Sequence, residues 1–127
     1  DRLIDELKIT EGQEPYRNSR DKKYLAVYEG QPYMLDEFGG IPWMAATDRN
    51  NSWGYGGMPK DEEAFYQRLE GQIDALIASK HVCGFCYTQL TDVEQEKNGV
   101  YYYDRRPKLD MKRIKAIFEK IPSRPAK

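Results

Sequence analysis

Glu37 is the residue best placed by the sequence to do chemistry, because it ends a short apolar stretch that breaks into two glycines. Residues 32–42 run Pro-Tyr-Met-Leu-Asp-Glu-Phe-Gly-Gly-Ile-Pro. The pattern predicts a strand followed by a tight turn, with open space left beside the acid by the glycines. In parallel α/β folds, chemistry is placed at the carboxyl ends of strands. The position therefore suits a catalytic carboxylate, and the alternative is a structural strand-end acid.

Trp53 and Tyr55 stand between glycines in the polar stretch Asp-Arg-Asn-Asn-Ser-Trp-Gly-Tyr-Gly-Gly-Met-Pro-Lys, residues 48–60. A loop this long inside a compact domain is usually functional or disordered. Aromatic residues make up 13% of the chain, and rings held in polar segments suit stacking against sugars or bases. The two side chains either line a binding site or brace the loop.

Cys83 and Cys86 form a Cys-Gly-Phe-Cys run, the spacing of a redox pair or of half a metal site. His81 is the single histidine and there is no second cysteine pair, so the usual four zinc ligands cannot be assembled. We predict two small buried residues on a strand, and neither a metal nor a cofactor.

Composition excludes several classes of function. The 20 basic and 21 acidic residues leave a formal net charge of -1 and form no basic block, so no nucleic-acid footprint is present. Apolar runs are too short for a membrane span. The length of 127 residues suits one domain over residues 1–127.

The elements that must position these residues follow the order strand, loop, helix, strand, loop, helix. The strands are predicted at 33–36 and 82–87, and a turn at Asn98-Gly99. One helix is capped by Asp61, carries apolar residues at helical spacing and closes on Lys80 and His81. The second is capped by Asp110 and runs to Pro122. Two consecutive β-α units imply an α/β fold with a parallel sheet.

The N-terminal region carries a weaker pattern. Residues 1–9 have helical spacing, and residues 13–23 are polar. Two strands alone do not make a parallel sheet with both faces covered, so we expect the chain to be part of a longer domain.

Three stretches in order resemble the C-terminal end of glycoside hydrolase family 2, the β-galactosidases, β-glucuronidases and β-mannosidases. The resemblance extends over about residues 24–120. The stretches are Met-Leu-Asp-Glu-Phe-Gly-Gly-Ile (34–41), Ser-Trp-Gly-Tyr-Gly (52–56), and Gly-Phe-Cys-Tyr-Thr-Gln-Leu-Thr-Asp-Val-Glu-Gln-Glu-Lys-Asn-Gly-Val (84–100) with Tyr-Asp-Arg-Arg-Pro-Lys (103–108). The resemblance implies the C-terminal portion of a (β/α)8 TIM barrel, about strands 7 and 8 with their helices.

The implied activity is retaining β-glycoside hydrolysis, in which two carboxyl groups about 5 Å apart act in turn. Glu37 matches the nucleophile position. The acid/base of the family belongs to an Asn-Glu pair, and no such dipeptide occurs here, so this chain alone is expected to be inactive. Lys97-Asn98-Gly99 is not the Asn-x-Lys pattern of bacterial glucuronidases, which favours a neutral sugar, galactose first.

The resemblance also implies substrate contacts. Tyr87 stands where many relatives place a tryptophan under the sugar, and the alternative is a packed strand-end tyrosine. Trp53 and Tyr55 would line the subsite. Asp92 is either a solvated loop charge or a ligand of a sugar hydroxyl. Asp36 is expected to point away from Glu37, because neighbouring strand residues face opposite ways.

A different class of function stays open at this stage, a non-catalytic carbohydrate-binding or interaction module that keeps the aromatic loop. The partner that the resemblance implies is a carbohydrate substrate. A part of a barrel also exposes strand edges and apolar faces, so we expect the chain to self-associate.

Overall fold

The computed structural model describes residues 29–45 and 50–120. The elements over these ranges are, in chain order, β1 (Tyr33–Gly39), α1 (Glu62–Ala78), β2 (Val82–Thr88) and α2 (Met111–Phe118). The predicted helix at 1–9, the polar stretch at 13–23 and the tail from 121 lie outside the described residues.

Strands β1 and β2 pair in parallel, which confirms the prediction of two consecutive β-α units. Both strands run further than predicted, to Gly39 and to Thr88. The backbone hydrogen bond from Gly40 N to Thr88 O, 2.7 Å long, continues the pairing beyond the two strand ends. The carboxyl ends of both strands therefore meet at one edge of the sheet.

Helix α1 begins at its predicted cap. Asp61 accepts a hydrogen bond from the Ala64 amide at 2.7 Å. The first turn carries two glutamates, whose negative charge is stabilised by the positive end of the helix dipole. The helix ends at Ala78, so the predicted closure on Lys80 and His81 is wrong: both residues lie beyond the last turn.

Helix α2 is also capped as predicted. The Asp110 carboxylate accepts from the amides of Lys112 and Arg113 at 2.9 and 3.4 Å. Ile114 and Ile117 are buried. The helix ends at Phe118, before the predicted stop at Pro122.

The core lies between one face of the sheet and the two helices. Phe38, Phe85 and Tyr87 from the strands pack against a buried cluster. The cluster consists of Ile41, Phe65, Tyr66, Leu69, Ile73, Val100, Leu109, Ile114 and Ile117. Because the core occupies this face, the strand residues that turn away from it remain exposed.

Cys83 and Cys86 lie on β2 as predicted, but both side chains are exposed and both thiols are free, so the prediction of burial is wrong. Within residues 29–45 and 50–120, no group of three His, Cys, Asp or Glu residues could hold a metal ion. No helix in the same ranges has the length and apolarity needed to span a bilayer.

Candidate functional site

Glu37 lies in a β-bulge, where β1 has one residue more than β2. Leu35 is aligned with Phe85 and Phe38 with Tyr87, so Asp36 and Glu37 together face a single residue of β2. The bulge interrupts the alternation of side chains. The expectation that Asp36 and Glu37 point to opposite faces relied on that alternation, so it does not apply at the bulge. Both side chains are exposed.

The register explains why the bulge matters for the acid. Phe85 and Tyr87 are two residues apart on β2 and share one face. Their partners Leu35 and Phe38 must then share that face as well, although they are three positions apart in the chain. The extra residue turns Glu37 away from the core while Phe38 packs into it.

Tyr55 is the direct partner of Glu37. Its hydroxyl donates a hydrogen bond to a Glu37 carboxylate oxygen at 3.1 Å. This bond raises the pKa of the Tyr55 phenol, and the negative charge of Glu37 adds to the effect, because ionising the phenol would remove the bond and place two anions together. The sequence interpretation that Tyr55 lines a site thus gains a specific contact.

Gly40 makes the approach of Tyr55 possible. The Tyr55 amide donates to the Gly40 carbonyl at 2.8 Å. A Cβ at Gly40 would lie 1.9 Å from the Tyr55 ring, and the backbone φ of +58° is one that side chains disfavour. The Gly-Gly turn therefore does more than leave space: it lets the ring cross the backbone directly after the strand.

Trp53 lies two residues before Tyr55 in the same loop. Its indole ring meets the Tyr55 ring edge-on at a centroid distance of 5.9 Å, and half of the residue is exposed. The Trp53 amide donates to Gln95 O at 2.9 Å, and its carbonyl accepts from Lys97 N at 2.8 Å. The Trp53 backbone therefore braces the loop, which is one of the two alternatives named from the sequence, and its ring is half exposed.

Arg68, on α1, fixes the same loop from the other side. Its guanidinium donates to Gly57 O at 2.8 Å and to Tyr55 O at 3.1 Å. Sequence reasoning missed Arg68, and no motif could have indicated it, because its acceptors are backbone carbonyls of a loop distant in sequence.

An open pocket of about 220 Å³ surrounds the acid. It is lined by Glu37, Phe38, Gly39 and Tyr55. A carboxylate, a phenol and a glycine backbone around one opening can bind hydroxyl groups, since the carboxylate accepts and the phenol both donates and accepts hydrogen bonds.

Tyr87 is not part of this opening. Its ring packs edge-on against Phe38 at 5.6 Å and Phe118 at 5.7 Å, and it closes over Gly39. Burial raises the pKa of its phenol to about 12. The arrangement is that of the packed strand-end tyrosine, the alternative named from the sequence.

Asp92 is buried, so the interpretation as a solvated loop charge is wrong. Its carboxylate forms an ion pair with Lys108 and accepts from the Gly99 amide at 3.1 Å. Its second oxygen lies 4.0 Å from the Lys97 ammonium. These contacts make Asp92 an anchor of the loop after β2, and it takes no part in the opening beside Glu37.

Lys108 is the second residue that sequence reasoning missed. Besides Asp92, its ammonium donates to Trp43 O at 2.7 Å and to Lys97 O at 3.3 Å. Burial lowers the pKa of this ammonium, and the Asp92 carboxylate opposes that shift. Lys108 belongs to the Tyr-Asp-Arg-Arg-Pro-Lys stretch that carries the family resemblance. Only the fold shows that it joins Asp92, Trp43 O and Lys97 O.

The turn predicted at Asn98-Gly99 is wrong, because the turn in this loop lies at Glu94 and Gln95, whereas Asn98 and Gly99 lie beside the Asp92–Lys108 ion pair. Asn98 is fully buried and donates from Nδ2 to Glu96 at 2.9 Å. A Cβ at Gly99 would lie 2.3 Å from the Asp92 backbone, so only glycine fits there. Asn98 thus supports the loop that carries Glu96 and Lys97.

Comparison with protein-family models gives no match, and comparison with curated proteins gives none either.

Proposed function

We propose that this chain contributes the nucleophile Glu37 to a retaining β-glycosidase, as part of a TIM-barrel catalytic domain of the family 2 type. The observation that carries the proposal is the Tyr55–Glu37 hydrogen bond of 3.1 Å in a pocket at the carboxyl end of a parallel strand. Active sites of α/β barrels are built at that end from strand termini and the loops that follow.

In the proposed reaction, a Glu37 oxygen bonds to the anomeric carbon while the bond to the leaving oxygen breaks. The leaving oxygen takes its proton from a general acid. The same group, now a base, then takes a proton from water, whose oxygen bonds to the anomeric carbon and displaces Glu37 with the sugar configuration retained. Tyr55 orients the Glu37 carboxylate by donating to one of its oxygens. The general acid of the family belongs to an Asn-Glu pair, and this sequence contains no such pair. The chain by itself should therefore not turn over ordinary glycosides.

The substrate that fits this proposal is a neutral β-linked sugar, with galactose as the first candidate. The opening around Glu37 offers the acid, the Tyr55 hydroxyl and glycine backbone as polar groups. Hydroxyl groups of a neutral sugar suit these partners, whereas the described lining of the opening provides no cationic side chain for the carboxylate of a uronic acid.

The nucleophile can be tested without the missing acid. We expect a dinitrophenyl deoxyfluoro-β-galactoside to form a covalent adduct on Glu37, because dinitrophenolate leaves without being protonated and the fluorine slows hydrolysis of the adduct. Mass spectrometry of the intact chain and of its peptides would detect and locate the adduct.

The matched variants are Glu37→Gln, which should prevent labelling, and Asp36→Asn, which removes the neighbouring carboxylate and should leave labelling intact. An adduct that persists in Glu37→Gln would contradict the assignment. Sugar binding by the unmodified chain without any adduct would instead favour the non-catalytic carbohydrate-binding module.

Self-association is expected from the uncovered edges of the sheet and the exposed apolar side chain of Met34. Each strand of the described two-stranded sheet has one edge that no other described strand covers, and such edges pair readily with other chains. Met34, on β1, is 55% exposed. We expect sedimentation velocity to show concentration-dependent association that Met34→Lys weakens, while lysine at the exposed Leu90 has a smaller effect. Monomers at every concentration would rule this out.

A further inference from the structure

Arg68 directs its guanidinium away from its own helix and toward the loop that carries Tyr55. Its Nη1 donates to Gly57 O at 2.8 Å and its Nη2 to Tyr55 O at 3.1 Å. Hydrogen bonds from a charged donor are stronger than neutral ones, and the planar guanidinium offers them in a fixed geometry. Arg68 therefore holds two peptide groups of one loop against helix α1.

The helix that carries Arg68 is itself fixed by the core. Phe65 and Leu69, the neighbours of Arg68 on either side of its position in α1, are fully buried. A side chain on a packed helix holds its partners more precisely than one on a loop does. The loop is thus tied to a rigid element.

The backbone of Tyr55 is tied on both of its sides. Its amide donates to Gly40 O at 2.8 Å, directly after the strand that carries Glu37. Its carbonyl accepts from Arg68. The Tyr55 hydroxyl then reaches the Glu37 carboxylate at 3.1 Å. The position of this hydroxyl therefore depends on Arg68 as well as on the end of β1.

Gly56 allows the guanidinium to come this close to the loop. A Cβ at Gly56 would lie 2.6 Å from Arg68 Nη2, and the backbone φ of +73° is one that side chains disfavour. The guanidinium thus lies on the side of the loop where a side chain would otherwise project. Gly56 gives a second way to disturb the contact without changing Arg68.

We propose that Arg68 is a positioning residue for the reaction at Glu37, which fixes the backbone of Tyr55 so that the Tyr55 hydroxyl orients the Glu37 carboxylate. The inference rests on the proposed function and deepens it, because it adds a residue that acts on Glu37 only through Tyr55. A reacting group displaced by about 1 Å can lose about 10²-fold in rate. A merely structural arginine would affect stability alone.

The test is to replace Arg68 with methionine in the whole chain. We expect the dinitrophenyl deoxyfluoro-β-galactoside to label Glu37 about tenfold more slowly, as measured by mass spectrometry over time. The pKa of Tyr55 should fall toward its ordinary value, because its hydrogen bond to Glu37 is the main reason why that pKa is raised. NMR titration of labelled tyrosine measures this. Arg68→Lys keeps the charge without the planar fork, so both readouts should lie between those of methionine and arginine.

The matched structural control is Arg113→Met. Arg113, on α2, donates two hydrogen bonds to the Glu63 carboxylate at 2.6 and 2.8 Å and lies 4.1 Å from the centre of the Tyr66 ring. It joins the two helices but makes no described contact with the loop. Its loss should lower the free energy of unfolding and leave the labelling rate and the Tyr55 pKa unchanged.

Gly56→Ala disturbs the same contact from the loop side. It should slow labelling and lower the Tyr55 pKa as Arg68→Met does. Gly30→Ala is its control, because Gly30 also has a positive φ, +89°, but a Cβ there meets nothing within 4 Å. This variant should change neither readout.

The outcomes separate this inference from the proposed function. If the unmodified chain is labelled at Glu37 and Arg68→Met changes neither the rate nor the Tyr55 pKa, the inference is wrong and the proposed function stands. Equal slowing by Arg113→Met would also overturn it, because the effect would then be one of stability. Absence of the adduct from the unmodified chain would contradict the proposed function and, with it, a role of Arg68 in that reaction.

Discussion

Replacing Lys108 with methionine is expected to lower the free energy of unfolding by about 3–5 kcal/mol, the usual effect of breaking a buried ion pair from one side. The Lys108 side chain is completely buried and Asp92 is 2% exposed. Methionine has a similar shape but carries no charge, so the Asp92 carboxylate would remain in the interior without its main counter-ion. Urea unfolding followed by circular dichroism measures the change.

The matched control is Lys97→Met. The Lys97 ammonium faces the same carboxylate, but at 4.0 Å and partly exposed, so its loss should lower the free energy of unfolding by less than about 1 kcal/mol. Asp92→Leu combined with Lys108→Met should recover part of the loss, because no buried charge is left unpaired. Equal destabilisation by the two single lysine variants would contradict the role given to Lys108.

The consequence for the site follows from the contacts of Lys108. Its ammonium joins Trp43 O, in the segment after β1, to Lys97 O, in the loop after β2. Lys97 N is bonded to Trp53 O. The Lys108 variant should therefore loosen the Trp53 loop, which tryptophan fluorescence of the folded variant in a Trp43→Phe background can report.

Replacing Gly40 with alanine is expected to separate Tyr55 from Glu37. The added Cβ would lie 1.9 Å from the Tyr55 ring, so the ring must move. The left-handed backbone adds about 1–2 kcal/mol of destabilisation for a residue with a side chain. Since the hydrogen bond to Glu37 is the main reason why the pKa of Tyr55 is raised, that pKa should fall toward its ordinary value. NMR titration of labelled tyrosine, assigned with Tyr55→Phe, measures this.

Alanine at two other glycines distinguishes backbone strain from the collision with the Tyr55 ring. Gly30 also has a left-handed φ, +89°, but a Cβ there meets nothing within 4 Å, so Gly30→Ala carries the backbone strain without the collision. Gly57 has open space and no positive φ, and Gly57→Ala should be close to neutral. An unchanged Tyr55 pKa in Gly40→Ala would show that the ring does not depend on this glycine.

The local elements were largely predictable from the sequence. Asp61 and Asp110 were recognisable as caps because a helix start leaves backbone amides that a nearby carboxylate can satisfy. The parallel pairing followed from the order of the elements, since strands joined through a helix run in the same direction. The place of Glu37 near the carboxyl end of β1 was also predictable, because an acid between an apolar strand and paired glycines is a local pattern.

The placement of side chains relative to one another was less predictable. The bulge at Asp36 and Glu37 depends on the register between two strands more than 40 residues apart in the chain, so a rule of simple alternation failed there. The burial of Asp92 depends on Lys108, and a charged loop residue without a visible partner is reasonably expected in water. The exposure of Cys83 and Cys86 depends on how β2 packs against its neighbours, which the spacing of the two residues does not indicate.

The sequence by itself determined that an acid stands at the end of a strand and that an aromatic, glycine-rich loop follows it. Only the tertiary structure decided that Tyr55 crosses Gly40 to bond that acid, that Tyr87 belongs to the core, and that Arg68 and Lys108 hold the surrounding loops. The physical reason is that caps and strand ends are formed by neighbours in the chain, whereas a hydrogen bond between distant residues exists only once packing has fixed where each segment lies.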